Sequence, residues 1–351
     1  MAHDASDPPA RPQHLHSRAL RYFDMIRRCG SIREAARRLH VSSSAVNRQL
    51  LQLEAELGTP LFERLPGGLR LSAAGEALSR HVITVLQDAQ RLAGDLDALK
   101  GVRRGSLAIA CVEGLTHALL PEVLLAMRAR YPGVALRVSV AGSAQAAQAV
   151  IDGDADVALG FVLERSPLLH QVAVGRFALG AVVAPGHPLA ACPPPVSFAE
   201  CARHPLLLPA PELSLHWELR SLLLGQRRSL STVVETASLE LMTQMAARGA
   251  GVAFLNRLGI EREIAQGALV HLRLKGVPPS NLGVYVRAGR VLPPAIDAFT
   301  RIVAERIERA ALADASGTAH RARPAARPRE RDAGRGAAAA QMRPAARSRR
   351  R

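Results

Sequence analysis

The spacing of apolar residues near the start of the chain predicts a group of short helices. Leu20, Phe23 and Ile26 follow a helical period, which predicts a first helix over residues 17–29. Residues 31–56 predict two more helices joined by a tight turn. The inner face of the last helix is apolar at Val46, Leu50 and Leu53. Its outer face is polar and consists of Ser43, Ser44, Asn47, Arg48 and Gln52.

Short polar residues between these helices mark where each one starts. Ser31 and Glu34 form an S-x-x-E pattern, which predicts a capping box. His40 and Val41 form the turn, and Ser42 is a good N-cap for the next helix. Asn and Gln can bond adenine edges, Arg can bond guanine, and a helix-turn-helix places such side chains in the major groove. The pattern therefore predicts a DNA-reading helix. The alternative is a helical hairpin with a polar solvent face.

The residues after this motif predict a β-hairpin. Two short strands, 61–65 and 69–72, flank Pro-Gly-Gly at 66–68, so the segment is typical of the wing of a winged helix. Arg64 and Arg70 lie on this wing, where they are expected to contact phosphates or the minor groove.

A single long helix is predicted from Ser72 onward. Its apolar positions follow a heptad spacing and are Leu78, Val82, Val85, Ala89, Leu92, Leu96 and Leu99. So narrow a stripe needs a partner, and self-pairing is favoured over packing on the body of the same chain. Pairing would bring two DNA-reading modules together, which suits a pseudo-palindromic site.

The second half of the chain alternates apolar strands with helices. Predicted strands lie at 107–112, 134–140, 155–161, 177–183, 205–208, 232–235 and 251–255. Predicted helices lie at 120–131, 144–152, 215–225, 238–248 and 293–310. This alternation predicts an α/β fold with mainly parallel sheets. In such sheets, ligands bind beyond the carboxyl ends of the strands, near helix N-termini. Here those places are 112–114, 142–143 and 161–162.

Charge and motifs narrow the class of function. The 351 residues carry a formal net charge of +16, and residues 14–80 hold eleven Arg against six acidic residues, which fits a polyanionic partner. The tail 316–351 holds eleven Arg against two acidic residues and few large apolar side chains, so it is expected to be disordered. The chain has no G-x-S-x-G, P-loop or H-E-x-x-H motif, and no cofactor or metal is predicted.

Four cysteines and the absence of a long apolar run indicate the compartment. Cys29, Cys111, Cys192 and Cys201 show neither C-x-x-C pairing nor metal spacing, and the first two are expected to be buried thiols. Asp152, Asp154 and Asp156 lack the Gly and terminal Glu of a calcium loop. With no signal peptide and no apolar run near ~18 residues, the chain is expected to be cytoplasmic, without membrane contact.

Residues 20–78 resemble the winged helix-turn-helix of LysR-type transcriptional regulators. The matching pieces are GSIREAARRLHVS, AVNRQLLQLEAELGTPLFER and LSAAGEAL, and a weaker similarity extends to about residue 310. The family commonly has Gln-Pro where this chain has Ser43-Ser44, and Ser where it has Asn47. Because these positions face the bases, the operator sequence cannot be taken from relatives.

The resemblance implies an organisation and a ligand. It implies a two-lobed, periplasmic-binding-protein-like effector domain, in which the chain crosses to the second lobe near residue 183 and returns to the first near 284. The expected segments are a disordered 1–13, a winged helix-turn-helix at 14–73, a linker helix at 74–100, an effector domain at 105–312 and a disordered basic tail at 313–351. By position, the effector contacts are Gly114, Ser143 and Phe161, faced by Ser214 and Ser238.

The expected function is therefore a sequence-specific, DNA-binding transcriptional regulator controlled by a small organic acid. Ser143 is expected at a helix N-terminus with its hydroxyl aimed into the cleft, near Leu115, Phe161, Val162 and Leu215. Expected partners are operator or promoter DNA, a second copy of the chain in a homodimer, a homotetramer through effector domains, and RNA polymerase. Two alternatives stay open at this point: an enzyme with an appended DNA-binding module, and an architectural DNA binder without a ligand.

Overall fold

The computed structural model describes residues 17–99, 104–161, 166–225, 230–289 and 291–316. The predictions for 1–13, Val162, most of the 100–105 connector and the tail beyond 316 lie outside these residues. The chain begins with three helices and a hairpin: α1 (Arg18–Cys29), α2 (Ile32–Leu39), α3 (Ser43–Leu57), β1 (Phe62–Leu65) and β2 (Gly68–Leu71). The helices pack around a core that contains Phe23, Ile26, Val46, Leu50 and Leu53.

Hydroxyl caps set the starts of these helices. Ser42 Oγ accepts a hydrogen bond from Ala45 N at 3.2 Å, which confirms the predicted N-cap of α3. Ser31 Oγ accepts a hydrogen bond from Glu34 N, but the capping box is wrong in its second half. The Glu34 carboxylate instead accepts hydrogen bonds from Arg37 and Arg38, because two guanidinium groups one turn away are stronger donors than a backbone N–H.

The hairpin is antiparallel and is tied to the end of α1. Leu69 N donates to Gly30 O at 2.8 Å, and Gly30 ends α1 with a φ of +63°. The register pairs Arg64 with Leu69 and Glu63 with Arg70. Because facing residues share a side of the hairpin and successive residues alternate, Arg64 and Arg70 point to opposite faces. Both side chains are exposed.

The long helix α4 (Ala73–Leu99) forms as predicted, but its apolar stripe is divided between two surroundings. Leu78 and Val82 pack into the core of the winged helix. By contrast, Leu92 and Leu96 are 43% and 44% exposed. The first part of the predicted dimer seam is thus buried against the winged helix of the same chain, and only the later part, with Leu92 and Leu96, is exposed and available to a second copy. The reason is that the turn after β2 holds the start of α4 against α1.

The rest of the chain forms two α/β lobes. The strands are β3 (Arg104–Cys111), β4 (Gly133–Val140), β5 (Val157–Phe161), β6 (Leu169–Phe177), β7 (Leu179–Val183), β8 (Leu206–Pro209), β9 (Thr232–Thr236), β10 (Val252–Asn256), β11 (Val270–Arg273) and β12 (Ser280–Arg287). The helices are α5 (Leu119–Arg130), α6 (Ser143–Ile151), α7 (Phe198–Cys201), α8 (Ser214–Leu224), α9 (Leu239–Ala247), α10 (Glu261–Ala265) and α11 (Pro294–Ala315).

Each lobe is built on a five-stranded mixed sheet. Lobe I has the order β4-β3-β5-β12-β6, and lobe II has the order β11-β7-β10-β8-β9. The prediction of mainly parallel sheets is wrong: β12 runs antiparallel to β5 and β6, and β7 runs antiparallel to β10 and β11. These antiparallel strands arise because the chain crosses between lobes twice. The first crossing is at Ala178, and the second lies between β11 and β12, so the predicted points near 183 and 284 were each several residues too late.

Helix α11 continues past the predicted end of the effector domain at residue 312. Asp314 is buried, and its Oδ2 accepts a hydrogen bond from Ala178 N at 2.8 Å. The main-chain oxygen of Asp314 also accepts a hydrogen bond from Arg273, near the second crossing. Asp314 therefore fixes both crossing segments and belongs to the fold, not to the tail.

The winged helix contacts lobe I through the turn that follows α6. Arg27 Nη2 donates to Asp24 Oδ1 and to Asp152 O, both at 2.8 Å. Arg28 donates to Asp24 Oδ2 at 2.8 Å and also pairs with Asp154. The side chains of Arg27 and Asp24 are only 8% and 11% exposed. We call these five residues the α1–α6 clasp.

Candidate functional site

Helix α3 presents its polar side outward, as the sequence predicts. Ser43, Ser44 and Arg48 are exposed, and Asn47 is half-buried. Ser44 Oγ lies 3.1 Å from Ser42 Oγ, so this hydroxyl also belongs to the network at the start of the helix. The apolar positions of α3 are buried, so its outer side chains are held on a rigid base. This geometry can place them against base edges in a groove.

Basic side chains surround the start of α3, and sequence reasoning missed some of them. Arg33 and Arg37 of α2, with Ser42 and Ser43, line a shallow concave surface between α2 and α3. Hydrogen bonds from Arg37 and Arg38 lower the pKa of Glu34 to about 2, so this carboxylate stays charged and holds both guanidinium groups. The excess of Arg over acidic residues within 31–38 was the available signal.

A second candidate site lies between the two lobes, in a cleft of about 270 Å³. Four of the five predicted effector residues line it: Gly114, Ser143, Phe161 and Ser214. Ser238 does not line the cleft; its hydroxyl caps the first turn of α9. Of the predicted surroundings, Phe161 and Leu215 line the cleft, whereas Leu115 is fully buried in the core of lobe I.

Ser143 lies at the N-terminus of α6, but its hydroxyl is not aimed into open space. Ser143 Oγ accepts a hydrogen bond from Phe161 N at 3.1 Å and lies 3.4 Å from Ser214 Oγ of the opposite lobe. The side chain is buried, at 5% exposure. The hydroxyl therefore reaches across the gap to the opposite lobe, but it is also an acceptor for the backbone of its own lobe. The reason is that β5 ends close enough to α6 for its last N–H to use this oxygen.

Two helix N-termini nevertheless meet at the cleft. Helix α6 begins after Gly142, and helix α8 begins after Leu213. Among the described residues, no side chain caps the first-turn N–H groups of either helix. Unpaired N–H groups and the helix dipole favour negative charge. The arrangement can therefore hold a small anionic group.

The first turn of a third helix, α9, is already occupied by a carboxylate. Glu113 Oε2 accepts a hydrogen bond from Leu239 N at 2.8 Å. Glu113 Oε1 accepts hydrogen bonds from Ser238 Oγ at 3.2 Å and from Glu240 N at 3.3 Å. Glu113 comes from lobe I and lines the cleft, whereas α9 belongs to lobe II. Glu113 lies within 112–114, one of the three places predicted for a ligand, but nothing local in the sequence indicates a partner 125 residues away.

Two further polar groups of the cleft, Glu218 and His117, also join the lobes. Glu218 accepts a hydrogen bond from Ser280 Oγ, and burial raises the pKa of its carboxyl above the usual value. His117 Nε2 lies 3.4 Å from Glu240 Oε2. Apolar side chains such as Phe161 and Leu215 supply much of the lining. A ligand with an anionic head and an apolar body fits this mixture.

Other candidate chemistry has structural explanations. Asp152 and Asp154 belong to the α1–α6 clasp, and Asp156 Oδ2 accepts a hydrogen bond from Ala108 N. Within the part of the chain that the structure describes, no group of three His, Cys, Asp or Glu side chains could hold a metal, and no helix could span a membrane. Burial raises the pKa of Cys111 to about 11 and of Cys201 to about 12, so both stay protonated thiols near neutral pH. Cys29 is only half-buried.

Comparison with known proteins gives consistent matches along the chain. Residues 17–76 match the model of the bacterial regulatory helix-turn-helix proteins of the lysR family, and residues 100–308 match the LysR substrate binding domain. The RuBisCO operon transcriptional regulator of Allochromatium vinosum is 28% identical over 291 residues, which cover 83% of this chain and 96% of that protein. The HTH-type transcriptional regulator CbbR of Rhodospirillum rubrum is 30% identical over 82% of this chain and 95% of its own length.

A solved structure shows the same fold. A full-length OxyR variant from Pseudomonas aeruginosa superimposes with a TM-score of 0.64 at 21% identity, covering 84% of this chain and 95% of that one. At this identity, the likeness concerns the arrangement of the winged helix, linker helix and lobes, not the ligand.

Proposed function

The chain belongs to the LysR family of transcriptional regulators, a family of DNA-binding proteins and not of enzymes. From this family membership we propose a separate role for each of its two sites. It is a DNA-binding regulator whose activity responds to a small-molecule effector. Helix α3 reads the operator, and the cleft between the lobes binds the effector. The observation that supports the first role best is the exposed polar face of α3 on a fully packed core.

Each predicted DNA contact has a distinct role. Arg48 and Asn47 bond base edges, and Ser43 and Ser44 approach the bases or the adjacent phosphates from the first turn of α3. Arg64 and Arg70 contact the DNA backbone from the wing. Because these two arginines lie on opposite faces of the hairpin, one of them approaches the groove while the other reaches the flanking strand.

The effector is a small organic acid. Its carboxylate is held by first-turn N–H groups at the cleft, with Ser143 and Ser214 as the hydroxyl pair that joins α6 to α8. Phe161 contacts the apolar part of the acid, Gly114 leaves room for it, and Ser238 contributes its hydroxyl from the start of α9. A cleft of about 270 Å³ suits a molecule of that kind.

Members of the family form oligomers, and this chain has apolar surfaces for two kinds of contact. The exposed Leu92 and Leu96 of α4 support a homodimer. Val140 on the edge strand β4 and Val233 on the edge strand β9 are also exposed, which supports a homotetramer through the effector lobes. Such an assembly acts on the chromosome in the cytoplasm, with RNA polymerase as its further partner.

Selection of bound DNA fragments tests the DNA-reading role. The parent protein should enrich one pseudo-palindromic sequence, and Arg48→Ala should lose about 1–3 kcal/mol of binding free energy on that sequence and relax preference at one base position. Arg128→Ala, which removes an exposed arginine from α5, is the matched control and should bind like the parent. Equal losses on selected and random DNA for Arg48→Ala would remove α3 from base reading.

Two further measurements test the ligand and the assembly. A panel of small carboxylic acids is screened by thermal unfolding and by footprinting, and one acid should change both. If no acid changes either, an architectural role without a ligand is favoured.

In sedimentation, Leu92→Glu should dissociate the homodimer, because the change places charges against each other in the seam. An unchanged assembly would contradict the α4 interface.

A further inference from the structure

The carboxylate of Glu113 occupies the N-terminus of α9 as a bound ligand would. Its two oxygens use three donors of one helix turn: Leu239 N at 2.8 Å, Ser238 Oγ at 3.2 Å and Glu240 N at 3.3 Å. A bidentate carboxylate on first-turn N–H groups is the geometry by which helix N-termini bind anions. Ser238 Oγ caps only Leu241 N, at 3.2 Å, so the N–H groups of Leu239 and Glu240 are left for an anion to use.

The backbone on both sides brings the carboxylate to that position. Glu113 lies in a single 3₁₀ turn, Glu113–Leu115, between β3 and α5. The neighbouring Gly114 packs against the loop after β10, where a Cβ on Gly259 would lie 2.4 Å from Gly114 O. A side chain at 259 would push this turn of lobe I away from lobe II. The close approach of the two glycines therefore keeps Glu113 within reach of α9.

We infer that the first turn of α9 is a carboxylate-binding site of the cleft and that Glu113 fills it as a built-in ligand until the effector's carboxylate replaces it. This rests on the proposed function, in that it takes the effector to be an organic acid. The site consists of Ser238 Oγ, Leu239 N and Glu240 N. The ligand class is a carboxylic acid whose head group can take the place of a glutamate side chain.

Exchange of one carboxylate for another explains how a cleft lined by Glu113, Glu212 and Glu218, with no Lys or Arg among its described lining residues, can accept an acid. Entry of an anion beside Glu113 would place two negative charges within one site, which opposes binding. Replacement avoids this cost, because the donors stay satisfied and the displaced Glu113 moves toward water. Since Glu113 joins lobe I to α9, its release also removes one of the links that hold the lobes together. Binding of the acid and loosening of the lobes thus become the same event.

Small carboxylates test this site directly, without knowledge of the natural effector. Glu113→Ala removes the built-in ligand and leaves its three donors unsatisfied. Sodium acetate and sodium formate are titrated into the full-length variant at constant ionic strength against sodium chloride, and thermal unfolding is followed. Acetate should raise the melting temperature of Glu113→Ala by about 3–5 °C at ten times its dissociation constant, and should raise that of the parent much less. Glu113→Ala/Ser238→Ala should lose most of this response.

Two controls separate a specific site from a general salt effect. Glu212→Ala removes another carboxylate of the same cleft and should respond to acetate like the parent. Glu113→Gln keeps the size of the side chain without its charge, so it should melt below the parent and gain nothing from acetate. If Glu113→Ala fails to fold in chloride, folding in acetate alone supports the site.

Two results would overturn the inference. One is an acetate response of Glu113→Ala that equals that of the parent, and the other is a Glu113→Gln variant as stable as the parent. Sequence-selective DNA binding is measured on the same preparations. If it persists, and an acid from the screen still shifts the parent, then the built-in ligand is refuted while the proposed function stands. If acetate rescues Glu113→Ala but no acid changes the footprint, then the carboxylate site at α9 stands while the proposed response to an effector is refuted.

Discussion

The proposed base-reading residues of α3 come from one helix and face outward, whereas the residues of the cleft come from two lobes and several of them bond to one another across it. Ser43, Ser44 and Arg48 are exposed and rest on buried neighbours that perform a separate task. In the cleft, the atoms of Ser143 and Glu113 that belong to the proposed ligand site also form hydrogen bonds that stabilise the fold. Changes on α3 should therefore alter affinity for DNA alone, while changes in the cleft should alter folding and response together.

The largest effect is expected where the two lobes touch through backbone. Gly259→Ala would place a Cβ 2.4 Å from Gly114 O at a φ of +98°, so the loop after β10 must move. We expect a loss of about 3 kcal/mol in the free energy of unfolding, measured by urea titration. Gly249→Ala has a similar φ of +77° with open space around it and should lose only about 1 kcal/mol. Equal losses would mean that the inter-lobe contact contributes nothing.

Acid should weaken lobe II before it affects DNA reading. Burial lowers the pKa of His271 to about 4, and the neutral ring donates a hydrogen bond to Leu255 O at 3.0 Å while Arg257, Arg273 and Asp314 lie nearby. The unfolded chain binds the proton near pH 6.5, so stability is complete above that pH and falls as the pH decreases toward 4. The loss should approach about 3 kcal/mol. His271→Gln should flatten this acid limb in unfolding measured against pH, and an unchanged limb would exclude His271.

A smaller effect is expected at the hydroxyl pair. Ser143→Ala leaves Phe161 N without its acceptor in a buried position, which should cost about 1–3 kcal/mol of unfolding free energy. Ser214→Ala removes only the 3.4 Å contact and should cost less. Arg48→Ala should leave the unfolding free energy unchanged. If Ser143→Ala left the unfolding free energy unchanged while the response to the ligand was lost, then binding and stability would depend on separate residues in the cleft, as they do on α3.

The smallest effect is expected on the wing. Arg64→Ala should weaken binding to all DNA sequences alike and reduce the slope of log affinity against log salt by about one unit. Arg70→Ala tests the opposite face of the hairpin, and we expect the two losses to differ because only one face can lie toward the groove. Identical salt slopes for both variants and the parent would remove the wing from the DNA interface.

Local signals made the DNA-reading module predictable. Ser42 bonds a residue three positions away, the wing is a tight hairpin, and α3 buries residues one turn apart, so each contact is visible in a short window of sequence. The long helix α4 was predicted for the same reason. The surface that covers the apolar stripe of α4 could not be predicted, because an apolar position does not indicate whether Val82 contacts a second copy or the winged helix of its own chain.

The cleft was predictable only in part, because its contacts are long-range. The ends of the first strands and the starts of helices indicated Ser143, Phe161 and Ser214, since parallel strands bring such places to one edge. The antiparallel strands β6 and β12 depend on where the chain crosses between lobes, which no local pattern encodes. Glu113 and α9 are more than a hundred residues apart, and a glutamate after a strand is ordinarily a solvated side chain.

Helix α6 connects the two regions at its two ends. Its first residue, Ser143, bonds across the cleft, and the turn after its last residue, Ile151, belongs to the α1–α6 clasp with Arg27 and Arg28. Nine residues of helix span about 13 Å and hardly compress. Gly153 adds a second contact, because its position against Ile83 of α4 leaves no space for a side chain. A shift of α6 along its axis would thus tilt the winged helix relative to α4. The angle between the winged helix and the operator would then depend on whether the cleft is occupied.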